Sequence, residues 1–101
     1  MILKFYMKER KITFEVKADR NALKYNSFFI EFYNNNKFSG IYITTADFHI
    51  FTNTIEYYLI KTDELHDLLL LKERIIKRTP YGSYGFILPI EDLCKTAILL
   101  E

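Results

Sequence analysis

Between Ile12 and Ala18 apolar and polar positions alternate. Ile12, Phe14 and Val16 fall on one side, and Thr13, Glu15 and Lys17 on the other, which is the period of a half-covered strand. An apolar, aromatic run from Ile2 to Met7 precedes it. The charged stretch Lys8-Glu9-Arg10-Lys11 reads as the turn of a hairpin joining the two, a register that sets Lys4 or Phe5 opposite Glu15. Residues 19–26 carry Arg20, Asn21, Lys24 and Asn26 and read as a loop. Ser27 to Tyr33 is nearly continuous apolar sequence broken by Glu31, as in a strand covered on both faces.

Asn34-Asn35-Asn36-Lys37 is a turn signal, and Ile41-Tyr42-Ile43 reads as another strand. Thr44 to Asp47 suits a single helical turn capped by a threonine hydroxyl. Phe48–Thr52 and Ile55–Lys61 predict a second hairpin around Asn53-Thr54. From Thr62 the period changes. Leu65, Leu68, Leu69, Ile75 and Ile76 form a stripe at helical spacing, with Thr62 as N-cap and Asp63 and Glu64 in the first turn. Basic residues, Lys72 among them, gather ahead of Pro80, so a principal helix is expected over about 62–78. Phe86-Ile87-Leu88 predicts a short strand, and Pro89 opens a last helical turn through Asp92. The apolar tail, Ala97 to Leu100, is expected to dock on the core. The expected fold is α+β: a mixed, mostly antiparallel sheet with one principal helix, in one domain over 1–101.

Composition narrows this picture. The chain has 101 residues, half of them apolar, with nine Phe, eight Tyr and no Trp; that suits strands around one modest core. So many aromatics also point to a surface through which two copies associate, hence an expected homodimer. The net charge is +1, but it is unevenly spread. Residues 1–25 balance at +4 and the rest is slightly acidic. A basic first quarter suits a phosphate-bearing partner, through Lys8, Arg10, Lys11, Arg20 and Lys24; the same residues also suit a solvated surface. Cys94 is the only cysteine, so no intrachain disulfide forms and a reducing compartment is expected. With no signal-peptide pattern and no apolar run of membrane length, an intracellular, cytoplasmic protein with no membrane partner is expected.

The candidate chemistry lies on the alternating strand. Glu15, Lys17 and, if the strand stays extended, Asp19 share a face. Carboxylates there can hold Mg²⁺ through one or two oxygens and leave its other positions to water and phosphate. A lysine beside them can stabilise charge building on that phosphate. Glu31 is the natural second carboxylate, so Glu15, Asp19 and Glu31 are the expected metal ligands. Glu-x-Lys on a strand is also the pattern of an exposed ion-pairing face. Glu31, among aromatic neighbours, must be exposed, paired or functional. His49 and His66 show no metal-ligand spacing and read as a strand residue and a boundary residue.

Taken in order, Glu15-Val16-Lys17-Ala18-Asp19, Asn26-Ser27-Phe28-Phe29-Ile30-Glu31, Phe38-Ser39-Gly40-Ile41 and Thr44-Thr45-Ala46-Asp47 resemble small phage and virus members of the PD-(D/E)XK nuclease superfamily. Phe86-Ile87-Leu88-Pro89-Ile90 is similar to their late strand. The resemblance implies a restriction-endonuclease-like core and Mg²⁺-dependent cleavage of DNA in a virus-infected host cell, with Glu15 and Lys17 as the acid and lysine of the motif; Glu31, as the second carboxylate, is the third expected catalytic residue. Members carry an acid on the strand before acid-x-Lys, and often a helix before that. Here the chain begins in the strand, so a core lacking the first helix is expected. Three functions follow as alternatives: a metal-dependent nuclease, an inactive relative that binds nucleic acid or protein, and a small dimeric interaction protein.

Overall fold

A computed structural model describes residues 1–7, 10–70 and 74–101. Among them the chain is α+β, with nine strands in two sheets and one helix longer than two turns. Strands β1 (Ile2–Met7) and β2 (Arg10–Ala18) pair antiparallel, with Met7 opposite Arg10. It is Ile2, not Lys4 or Phe5, that faces Glu15, and Lys4 faces Thr13. After a five-residue helix α1 (Asn21–Tyr25), where a loop was expected, come β3 (Ser27–Asn34) and β4 (Lys37–Phe38). Asn35 and Asn36 both take positive φ between them, a conformation asparagine tolerates in tight hairpin turns.

Residues 41–43 do not form the expected strand. Gly40 adopts φ +52° and the chain coils into a 3-10 turn, Gly40–Tyr42, with the Ile43 and Thr44 amides on the Gly40 carbonyl. The helical turn expected at 44–47 is likewise absent, although the Thr44 hydroxyl does accept from the Ala46 amide at 3.2 Å. β5 (Phe48–Thr52) and β6 (Tyr57–Lys61) form the expected hairpin.

Helix α2 runs Thr62–Leu70 and buries Leu65, Leu68 and Leu69. The Ile75 and Ile76 end of the expected stripe is not helical: Ile75–Arg78 is a strand, β7, both isoleucines are exposed, and they pair with Ile87 and Phe86. Two adjacent β-branched residues favour the extended chain, and Arg74 fixes the turn-off by donating to the Leu68 carbonyl and to Asp92. Lys72 lies outside the described residues. β8 (Ser83–Pro89) and α3 (Ile90–Leu93), opened by Pro89, follow. β9 (Ile98–Leu100) then adds to the edge of β6 with its side chains exposed. The tail thus docks through its backbone and contributes little side-chain burial.

One sheet has the order β1-β2-β5-β6-β9 and is mixed, because β2 and β5 run parallel; the other, β4-β3-β8-β7, is antiparallel. A single buried cluster joins them. Phe51, Tyr58 and Ile60 come from the first sheet, Phe28, Ile30, Phe86 and Leu88 from the second, and the leucines of α2 complete it. No helix among the described residues is long and apolar enough to cross a membrane.

Candidate functional site

The parallel β2–β5 register puts Glu15 beside His49 and Lys17 beside Phe51. These four side chains share the face that continues, strand by strand, into Tyr58 and Ile60 of the core. Phe51 is fully covered by the second sheet. Glu15 and Lys17, nearer the margin, are half-buried. Glu31 approaches from the second sheet, at the point where the β3–β8 register shifts between Glu31 and Tyr33; such a bulge re-aims a side chain that regular pairing would turn elsewhere. Together Glu15, Lys17, Glu31 and His49 line a cavity of about 170 Å³, with Gly40 and Phe51 among its walls.

Each carboxylate is held by one hydroxyl. Thr44 Oγ1 donates to Glu15 Oε2 at 2.9 Å, and Ser39 Oγ donates to Glu31 Oε2 at 2.8 Å. In both, the other oxygen meets no protein donor among the described residues. Gly40 lies between the two hydroxyl-bearing residues. A Cβ there would stand on the Glu31 carbonyl oxygen, so glycine serves both the positive φ and the close approach.

Lys17 reaches across to the second sheet, where Nζ donates to the Phe29 carbonyl and lies 5.4 Å from the centre of the Phe29 ring. Burial pushes its ammonium below the ordinary lysine value, and the carboxylates of Asp19, Glu31 and Glu15 oppose that shift.

His49 is buried, and its proton can be located by counting donors. Thr62 Oγ1 gives its hydrogen to the Ala46 carbonyl at 2.6 Å, so it must accept from His49 Nδ1 at 2.9 Å. The neutral ring therefore carries its hydrogen on Nδ1 and turns a bare Nε2 toward Glu15 Oε2, 3.3 Å away. That contact becomes a hydrogen-bonded ion pair only when the ring takes a second proton. Burial holds the imidazole below its ordinary value, with Glu15 pulling the other way.

Of the expected site residues, Glu15, Lys17 and Glu31 come together. Asp19 does not line the cavity: its Oδ1 accepts from the Asn21 amide at 2.9 Å at the start of α1. Among the described residues no three His, Cys, Asp or Glu side chains are grouped to hold one metal ion. Mg²⁺ is commonly held by one or two carboxylates and completed by waters and phosphate, so Glu15 and Glu31 are the residues here that could hold it. The expected nucleic-acid contacts scatter. Lys11 shares the face of Glu15, Arg10 belongs to the opposite face, and Lys24 lies 5.3 Å from the Tyr25 ring centre. Arg20 precedes α1, and Lys8 lies outside the described residues.

Sequence reasoning read His49 as a strand residue, with activation of a water as the alternative, and gave the Ser39 and Thr44 hydroxyls no part in holding the carboxylates. The one available signal was that both hydroxyls sit in the segments carrying the family resemblance. No protein-family model, curated protein or solved structure matched this chain on comparison.

Proposed function

We propose that the chain is a nuclease-like domain that acts on DNA at the cavity between its two sheets. One observation carries this reading: Glu15, Lys17 and Glu31, from strands of different sheets, line the same cavity. An acid and lysine two residues apart become a site only when a second carboxylate meets them. Ser39 and Thr44 hold the two carboxylates in orientation and leave one oxygen of each for a ligand. Mg²⁺ bound by those oxygens would polarise a phosphoryl oxygen and lower the pKa of a bound water. Lys17, close to both acids, would donate to a phosphate oxygen as negative charge builds there. His49 Nε2, bare in the neutral ring, can take up a proton at the cavity wall.

A second reading, binding of DNA without cleavage, is favoured by two observations: Lys17 already donates to the Phe29 carbonyl, and among the described residues no third acid joins the pair to hold a metal. Incubation with plasmid and branched DNA in Mg²⁺ or Mn²⁺, beside an electrophoretic binding assay, separates the two. Metal-dependent cleavage that Lys17→Ala slows about 10²–10³-fold is the expected result. Binding without cleavage under every metal condition selects the second reading. Absence of both would overturn the two together.

A further inference from the structure

Beside the cavity lies a larger trench of about 670 Å³, walled by β1 and β2 on one side and the 43–47 segment on the other. Glu15 and Gly40 line both spaces, so the trench ends where the cavity begins. Resting on the nuclease-like reading above, we infer that this trench carries one strand of the DNA backbone to the cavity, with Lys4 and Lys11 on its phosphates.

The register supplies the argument. Lys11, Thr13, Glu15 and Lys17 alternate along one face of β2, and Lys4 stands on that face opposite Thr13. From Lys11 to Glu15 is about 13 Å of strand, the axial length of about four phosphates in one strand of a duplex. Lys4 and Lys11 are exposed, and neither makes an ion pair with another described residue. Asp47 also lines the trench, but its Oδ2 is taken up by the Thr13 amide at 2.9 Å and the Thr13 hydroxyl at 3.2 Å. These donors, the amide foremost, keep its carboxyl below the ordinary value, with Arg10 and Lys11 contributing. Along the trench Lys11 stands at the far end, Lys4 lies midway opposite Thr13, which holds Asp47, and Glu15 stands at the cavity. A backbone laid in that direction meets Lys11 first, then Lys4 beside the Thr13–Asp47 pair, and Glu15 and Glu31 last, at the phosphate to be acted on. Of the other described basic residues, Arg10 and Lys24 do not share this line. Arg10 is on the opposite face, and Lys24 is against Tyr25.

The test is fluorescence anisotropy of labelled duplex and single-stranded oligonucleotides over a salt series, in EDTA and again in Ca²⁺. Lys4→Ala and Lys11→Ala should each weaken binding about three- to tenfold and lower the slope of log affinity against log salt by about 1. The double variant should lower it by about 2. Lys4→Arg should restore the slope, and Lys24→Ala should match the wild type. Should the wild type bind while the double variant keeps its affinity and slope, the trench is not the path, and the nuclease-like reading survives that result. Wild-type protein binding in neither condition would overturn the trench, and the nuclease-like reading with it only where cleavage is absent too.

Discussion

The two faces of the five-stranded sheet are built from the same strands and end differently. On the inner face, Tyr58 and Ile60 of β6 and Phe51 and His49 of β5 are buried, Glu15 and Lys17 stand at the margin, and Lys4 on β1 is open to water. Across the outer face runs an apolar band from strand to strand, Leu59, then Phe48 and Ile50, then Phe14 and Val16, then Leu3 and Phe5, with Arg10 and Lys61 beyond its ends. None of these belongs to the buried cluster. Its aromatic rings cover one another instead, with Phe14 stacked on Phe48 at 5.1 Å and edge-on to Phe5 at 5.3 Å. The second sheet covers only part of the first, and the polar site forms at the limit of that cover. There a carboxylate loses some water yet keeps a solvent-facing oxygen, a compromise that full burial would make costly.

The contrast can be broken by stability measurements. Phe51→Ala should cost about 3–5 kcal/mol, as for a fully buried ring. Phe48→Ala, which loses a half-covered ring and one stacked partner, should cost about 1–2 kcal/mol. Denaturant midpoints measure both; equal losses would mean that the outer face is covered as well as the inner. Gly40→Ala tests the boundary itself. A left-handed alanine whose Cβ meets the Glu31 carbonyl should cost about 2–3 kcal/mol. Gly82→Ala, also at positive φ but with open space around it, should cost about 1 kcal/mol.

The smallest effect belongs to Lys17. Its folded-state pKa is lowered, chiefly by burial. Between that value and the ordinary lysine value, the unfolded chain binds more protons than the folded one. Stability should therefore rise with pH through this alkaline window, and the burial penalty should be fully present below it. Lys17→Met should remove the rise, read as the difference between two midpoint-against-pH curves. A variant curve parallel to the wild type would show that Lys17 is not desolvated at the margin.

Local features were the legible ones. The alternation of β2, the Asn35-Asn36 turn, the β5–β6 hairpin and Pro89 ahead of α3 all follow from residues within a few positions of one another. The end of α2 did not, because Ile75 and Ile76 fit a helical stripe as well as a strand edge, and only the vacancy beside β8 decides between them. The 3-10 turn at Gly40 was hidden by Ile41-Tyr42-Ile43, which alone would be extended. For the site, Glu15, Lys17 and Glu31 were visible as residue types. His49 was not, because its place beside Glu15 depends on a parallel pairing between distant strands. Nor did β2's alternation show which side faces the core: its polar side lies on the face that Phe51 and Tyr58 continue.

That parallel pairing also governs when the site can exist. Thr13 and Asp47, joined across it, are 34 residues apart, and β3 with the Gly40 turn lies in the intervening chain. Closing so long a loop precedes most of the reward for closing it. The β1–β2 and β5–β6 hairpins can form early and separately, each carrying one half of the Glu15–His49 contact. The Glu15–His49 contact is thus absent from every partly folded state in which those hairpins have not met, and Glu31 joins it only when the second sheet packs on the first.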